Sequence, residues 1–94
     1  MERELKIKRA RLEVVEGLLI AIQNHEVFNE IISERDNALQ NLIVTLSLTD
    51  LQARSLLDLK MPPEKIEKER IIEEKNRLQR TIKKLESKLS SNGT

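Results

Sequence analysis

"IIEEKNRLQRTIKKLESKL", residues 71–89, decides the fold. Ile71, Lys75, Leu78, Ile82, Leu85 and Leu89 follow one another in steps of three and four, the rhythm of one stripe on an α-helix. So narrow a stripe is a seam for a second helix, not the broad face of a helix lying on a large core. The chain offers one candidate partner. Leu5, Leu12, Val15, Leu19 and Ile22 form a matching seam near the start, with Lys8 in the missing slot. The two seams match when the helices run antiparallel, pairing Leu5 with Leu89, Leu12 with Ile82, Val15 with Leu78, Leu19 with Lys75 and Ile22 with Ile71. Lys8 and Lys75 can lay their stems on apolar surface while their ammonium groups reach water. The expected fold is all-α: a long antiparallel helical hairpin, or coiled coil, with a small helical globule at its tip.

Between the seams the pattern breaks at Asn24 and His25, and shorter segments follow. Helices are expected over Glu26 to Ser33 and, after a cap at Asp36, over Asn37 to Thr45. "LTDLQARSLLDLKM" (48–61) carries a capping box, Thr49 with Gln52, so a helix should start at Asp50. Its Leu51, Ala53, Leu56, Leu57 and Leu59 surround much of the helix circumference, which calls for more than one packing partner. One partner can be the chain itself and another a second chain. Pro62 and Pro63 should stop that helix and open the next. One domain over residues 1–94 is expected, with an outgoing coiled-coil helix at 2–23, a short-helix globule at 24–61, a returning helix at 62–90 and a disordered tail at 91–94. Gly17 lies inside the first helix at a cost of about 1 kcal/mol relative to Ala, unless close packing offsets it.

Composition narrows function mainly by exclusion. Charged residues make up 35% of the 94, yet Phe28 is the one aromatic, so the apolar inventory is that of zipped helices. A chain this short cannot enclose a large active site. No Cys is present, which agrees with a reducing compartment, and no uncharged apolar run is long enough to span a bilayer. The lone His25 sits at a helix break without a nucleophile beside it. Asp36, Asp50 and Asp58 are too scattered for a metal loop, and Gly17 and Gly93 cannot make a phosphate cradle. Catalytic, metal and cofactor sites are therefore expected to be absent, as are a membrane and a small-molecule substrate. The hairpin's open end should be basic: Lys6, Arg9, Arg11, Arg80, Lys83 and Lys84 form a candidate DNA-facing set. The plain alternative is two solvated helix faces.

Three stretches carry a family resemblance. "LTDLQARSLLDLKM" resembles the L-S/T-E/D-x-Q-A-x-A-I/L-L-D-L/M-R-L segment of bacterial type IIA topoisomerase A subunits, those of DNA gyrase and topoisomerase IV. "ELKIKRARLEVVEGLLIAIQN" (4–24) is similar to the family's E-L-x-K-A-x-x-R-x-H-I-x-E-G-L-L-x-A-L, matching at Glu4, Leu5, Arg11, Glu16, Gly17, Leu18, Leu19 and Ala21. "EKERIIEEKNRLQRTIKKL" (67–85) looks like the family's returning helix.

The resemblance implies a long coiled coil ending in a helical globule, two of which meet to close the exit gate, or C-gate, of a dimeric ATP-dependent enzyme. It implies a non-catalytic gate module whose dimer surface is Leu48, Leu51, Gln52, Ala53, Leu56, Leu57, Leu59, Lys60 and Met61. The implied partners are a second copy, the rest of a topoisomerase A subunit with its ATPase subunit, and DNA through the parent enzyme. The implied location is the nucleoid-bearing cytoplasm or an organelle of bacterial origin. The alternative is a free-standing coiled-coil interaction module that modulates a topoisomerase. Departures are specific. No Tyr is present to cleave DNA, the family's usual His in H-I-x-E-G-L-L is Glu13, its usual Arg in L-D-L/M-R-L is Lys60, and "KMPPEKIE" replaces R-L-x-x-L-T-G-L-E one residue shorter.

Overall fold

The computed structural model describes residues 2–92, and every regular element among them is helical. Helix α1 spans Glu2–Gln23, α2 His25–Ser33, α3 Ala38–Leu46, α4 Asp50–Leu57 and α5 Lys68–Asn92, with a 3₁₀ turn at Pro63–Lys65. The molecule measures 52 × 26 × 19 Å.

Helix α1 is the spine, packing against α5, α4, α2 and the 3₁₀ turn. Against α5 the core is thin: Leu5, Ile82 and Leu85 are buried together, with Leu12 and Leu89 half-buried beside them. Two ion pairs flank this seam. Arg9 holds Glu86, and Arg11 grips Glu74 through both Nε and Nη2, at 2.8 and 3.0 Å. Farther along α1, Val15 and Leu19 are buried, as is Leu78 on α5, while Ile22, Ile71, Lys8 and Lys75 are half-buried. A second, larger core lies under the short helices, where Ala21, Phe28, Ile31, Leu42, Leu48, Ala53 and Leu56 pack together.

The local chemistry explains the breaks. Past Gln23, the Asn24 side-chain amide donates to the carbonyl of Ile20 at 2.8 Å, the same oxygen that accepts the Asn24 backbone N–H at 3.0 Å, a doubled bond that closes the end of α1. Helix α3 begins one residue later than expected and is not capped by Asp36. Asn37 holds the cap position in the left-handed region (φ 60°), which an Asn tolerates better than most residues. Its far end turns through Ser47, also left-handed (φ 55°), and the Leu48 N–H bonds back to the carbonyl of Ile43 at 3.2 Å. That is a Schellman-type ending, and it drops Leu48 into the core.

Three further expectations are corrected. The prolines do not stop α4, which ends at Leu57, well before Pro62. Its last turn tightens through Asp58 N–H to Ser55 O and Leu59 N–H to Leu56 O, the short-range closure typical of a helix end. Nor does the returning helix begin at Pro63. Pro62 is held extended (φ −63°, ψ 143°), as a residue before proline should be, and Pro63–Lys65 makes a single 3₁₀ turn. β-branched Ile66 is then extended, and α5 starts at Lys68. At the C-terminus, α5 continues to Asn92, so residues 91 and 92 belong to a helix and not to a disordered tail. Gly93 and Thr94 lie outside the described residues, as does Met1.

Candidate functional site

The junction of α1 and α4 is built by one glutamine. Thr49 and Gln52 form the capping box the spacing predicts: the Gln52 backbone N–H donates to Thr49 Oγ1, and the Thr49 N–H donates to Gln52 Oε1 at 2.9 Å. The same side chain does a second job. Gln52 Nε2 donates to the backbone carbonyl of Glu13 at 2.7 Å, and the Thr49 hydroxyl donates to the Glu13 carboxylate. Gln52 is only 8% exposed, and both ends of its amide are satisfied, as burial of so polar a group requires.

Gly17 makes room for it. A Cβ at residue 17 would stand 2.8 Å from both Cβ and Cγ of Gln52, so the close approach anticipated for this glycine is to a side chain of α4, not to a second backbone. This contact fixes which face of α4 turns inward. Leu48, Gln52, Ala53 and Leu56 are buried against the protein's own core, Leu56 also reaching the floor of an open groove. Four of the nine residues assigned to a dimer surface are therefore internal packing. The reason is geometric: three of them share one α4 face, at spacings of one and four, and that face meets α1.

The remaining faces of α4 and the segment that follows it are different. Leu51 is 39%, Leu57 40% and Met61 53% exposed, Lys60 is exposed and Leu59 half-buried. Leu57, Leu59 and Met61 line an open groove together with Phe28, Ile32, Leu56, Pro62 and Pro63. The groove's polar edge is Asn29 and Lys60. Asn29 also ties the 3₁₀ turn to α2, its amide 3.1 Å from both carboxylate oxygens of Glu64. The Glu64 carboxyl is held below its ordinary range, first by its own backbone N–H at the start of the turn and then by Asn29. Phe28, Ile32 and the prolines were not assigned to this surface from sequence. The one available signal was Phe28 and Ile32 at i, i+4 on a short helix, which reads equally well as core.

The basic set also divides. Arg9 and Arg11 are committed to Glu86 and Glu74, while Lys6, Arg80, Lys83 and Lys84 are exposed. The Arg11 hydrogen bond lowers the Glu74 carboxyl from its ordinary value, and Glu74 raises the Arg11 guanidinium in return. His25 is half-buried with Nδ1 3.4 Å from the Ile22 carbonyl. Among the described residues no group of three or more His, Cys, Asp or Glu could hold a metal ion. No helix among them is long and apolar enough to cross a membrane.

Sequence comparison gives these surfaces a context. The chain is 38% identical over 92 residues, 94% of its length, to the A subunit of DNA gyrase from Campylobacter jejuni. It is 38% identical over 61 residues, 62% of its length, to the gyrase A subunit of Dehalogenimonas lykanthroporepellens. The chain is similar to a part of the A subunit of DNA gyrase. It spans only 11% and 8% of those two gyrase proteins, so the likeness is to a segment of each. No family model matches the chain, and no solved structure matches it significantly. The likeness takes in both long helices and the short helices between them, because the Campylobacter alignment covers 94% of the chain.

Proposed function

We propose that this chain is a non-catalytic exit-gate module of a gyrase-like type IIA topoisomerase. In this reading α1 and α5 form an antiparallel coiled-coil arm, and the short-helix tip meets the tip of a second copy. Gyrase homology supports the enzyme class. The observation that carries the gate reading is the unpartnered apolar rim at the tip, where the exposed Leu57 and Met61 line the groove floored by Phe28 and Leu56, with Leu51 exposed elsewhere on α4. A monomer gains nothing from exposing large apolar side chains along a groove, whereas an interface buries them.

The dimer surface is accordingly narrower than the sequence suggests: Leu51, Leu57, Leu59, Lys60 and Met61, joined by Ile32 and Pro62. Its action is mechanical. Two such tips hold the ends of a dimer together and part when a DNA segment leaves, while strand cleavage and ATP use reside elsewhere in the parent enzyme. The wider partners are the rest of a topoisomerase A subunit with its ATPase subunit, and the location is the cytoplasm at the nucleoid.

Sedimentation of wild type and of a Leu57→Asp/Met61→Asp variant tests this. Both positions are exposed, so the variant should keep its helical circular dichroism while its mass falls from dimer to monomer. A wild-type chain that sediments as a monomer up to high micromolar concentration, or a variant that remains dimeric, would overturn the gate reading.

A further inference from the structure

From Asn76 to Ser90, α5 carries five basic residues, Arg77, Arg80, Lys83, Lys84 and Lys88, and a single acid, Glu86. All five are exposed, and Glu86 is already occupied by Arg9 from α1. Arg77, Arg80, Lys84 and Lys88 are spaced by three, four and four, which at 3.6 residues per turn puts them within an arc of about 80°. That arc is centred about 130° around the helix from the buried positions Leu78, Ile82 and Leu85, clear of the seam. The result is a straight basic stripe about 16 Å long on the outward face of a helix. Like charges on successive turns repel one another, a cost that a bound polyanion removes.

We infer that the outward face of α5, through Arg77, Arg80, Lys84 and Lys88, binds the phosphate backbone of duplex DNA without reading its sequence. The row places one cation per about 5.5 Å of helix axis, coarser than the one phosphate per about 3.4 Å of a duplex strand, so it faces a continuous run of phosphates without pairing with each in turn. Base readout has no support on this face, and the lone aromatic, Phe28, lies in the tip and cannot stack single-stranded bases. This site replaces the basic end drawn from sequence. Arg9 and Arg11 leave the set because carboxylates already hold them, Lys6 on α1 and Lys83 leave it because they lie off this stripe, and Arg77 and Lys88 enter it. The inference goes beyond the gate reading and does not depend on contact between the tips.

The test is fluorescence anisotropy of a labelled 20-base-pair duplex with the full chain, titrated at several salt concentrations. Four phosphate contacts predict a log–log salt slope near −3.6, so affinity should fall about 100-fold between 50 and 200 mM salt. An Arg77→Gln/Arg80→Gln/Lys84→Gln variant should flatten the slope to about −1. A charge-matched control, Arg35→Gln/Arg54→Gln/Lys65→Gln, removes three cations elsewhere and should keep the wild-type slope. A scrambled duplex should bind as well as the first. No binding at low salt, equal weakening in the control, or tighter binding of a single strand would each overturn the inference. Sedimentation of the stripe variant should be unchanged, which separates this result from failure of the gate.

Discussion

Gly17 shows how far a residue's role can be read and where reading stops. A glycine in the middle of a long helix signals that something comes close, because the backbone penalty needs an offset. What comes close is Gln52, 35 positions away, and no local pattern announces that pairing. Gln52 was legible as the second half of a capping box, and that role is present, but its reach to the Glu13 carbonyl depends on where α4 lands. Replacing Gly17 by Ala should therefore destabilise the chain, although Ala is the better helix former. Overpacking against the first two carbons of Gln52 costs about 1–3 kcal/mol, more than the roughly 1 kcal/mol gained in propensity. Thermal unfolding followed by circular dichroism should show a lower Tm for Gly17→Ala. In a Gln52→Ala background, where Cγ is gone, the penalty should shrink or reverse.

At the scale of elements, the three-and-four spacing of apolar residues was enough to read an all-α chain and to place α1 at its observed bounds. Breaks within the tip were harder. Asn37 and Ser47 adopt left-handed backbone that neither residue type requires, and α4 stops five residues before the proline that should have stopped it. Tertiary packing of Leu48 and Leu56 sets those ends, and packing is not written in local propensity. The candidate surface was half legible for the same reason. Leu51, Leu57 and Met61 are exposed, but one α4 face looks much like the other until Gly17 selects which turns inward.

Charges along the α1–α5 seam behave as elements too. The Arg11 hydrogen bond holds the Glu74 carboxyl below its ordinary value, so the ion pair's contribution is present above the usual carboxylate range and is lost as pH falls through the lowered folded-state value. Arg11 is 51% and Glu74 30% exposed, which keeps the contribution within about 1 kcal/mol after solvent screening. Urea unfolding at pH 7 should find Glu74→Gln slightly less stable than wild type. At a pH below the lowered folded-state value of Glu74 the two should become equal. A difference that persists in acid would mean that the side chain matters through packing and not through charge.

For the whole molecule, the distribution of burial matters more than its amount. Val15, Ala21, Leu42 and Ala53 are all 0% exposed, and they lie where α1 meets the short helices. Away from that junction, α1 and α5 share a core one side chain thick, with Leu12 and Leu89 only half-buried and Ile7 59% exposed. Opening a two-helix seam exposes little apolar surface per residue, whereas opening the junction exposes the Gln52 lock and the second core together. Stability should therefore fall along the molecule from the junction toward the distal ends of α1 and α5. Native-state hydrogen exchange should find the slowest amides within residues 15–21 and 52–56, with protection decaying toward 2–8 and 85–90. Such a gradient would serve the proposed gate, whose arm would flex while its tip stays folded. Uniform protection along α1 would show instead that the two helices and the tip unfold as one cooperative unit, and an arm so coupled could not bend without loosening the surface at its end.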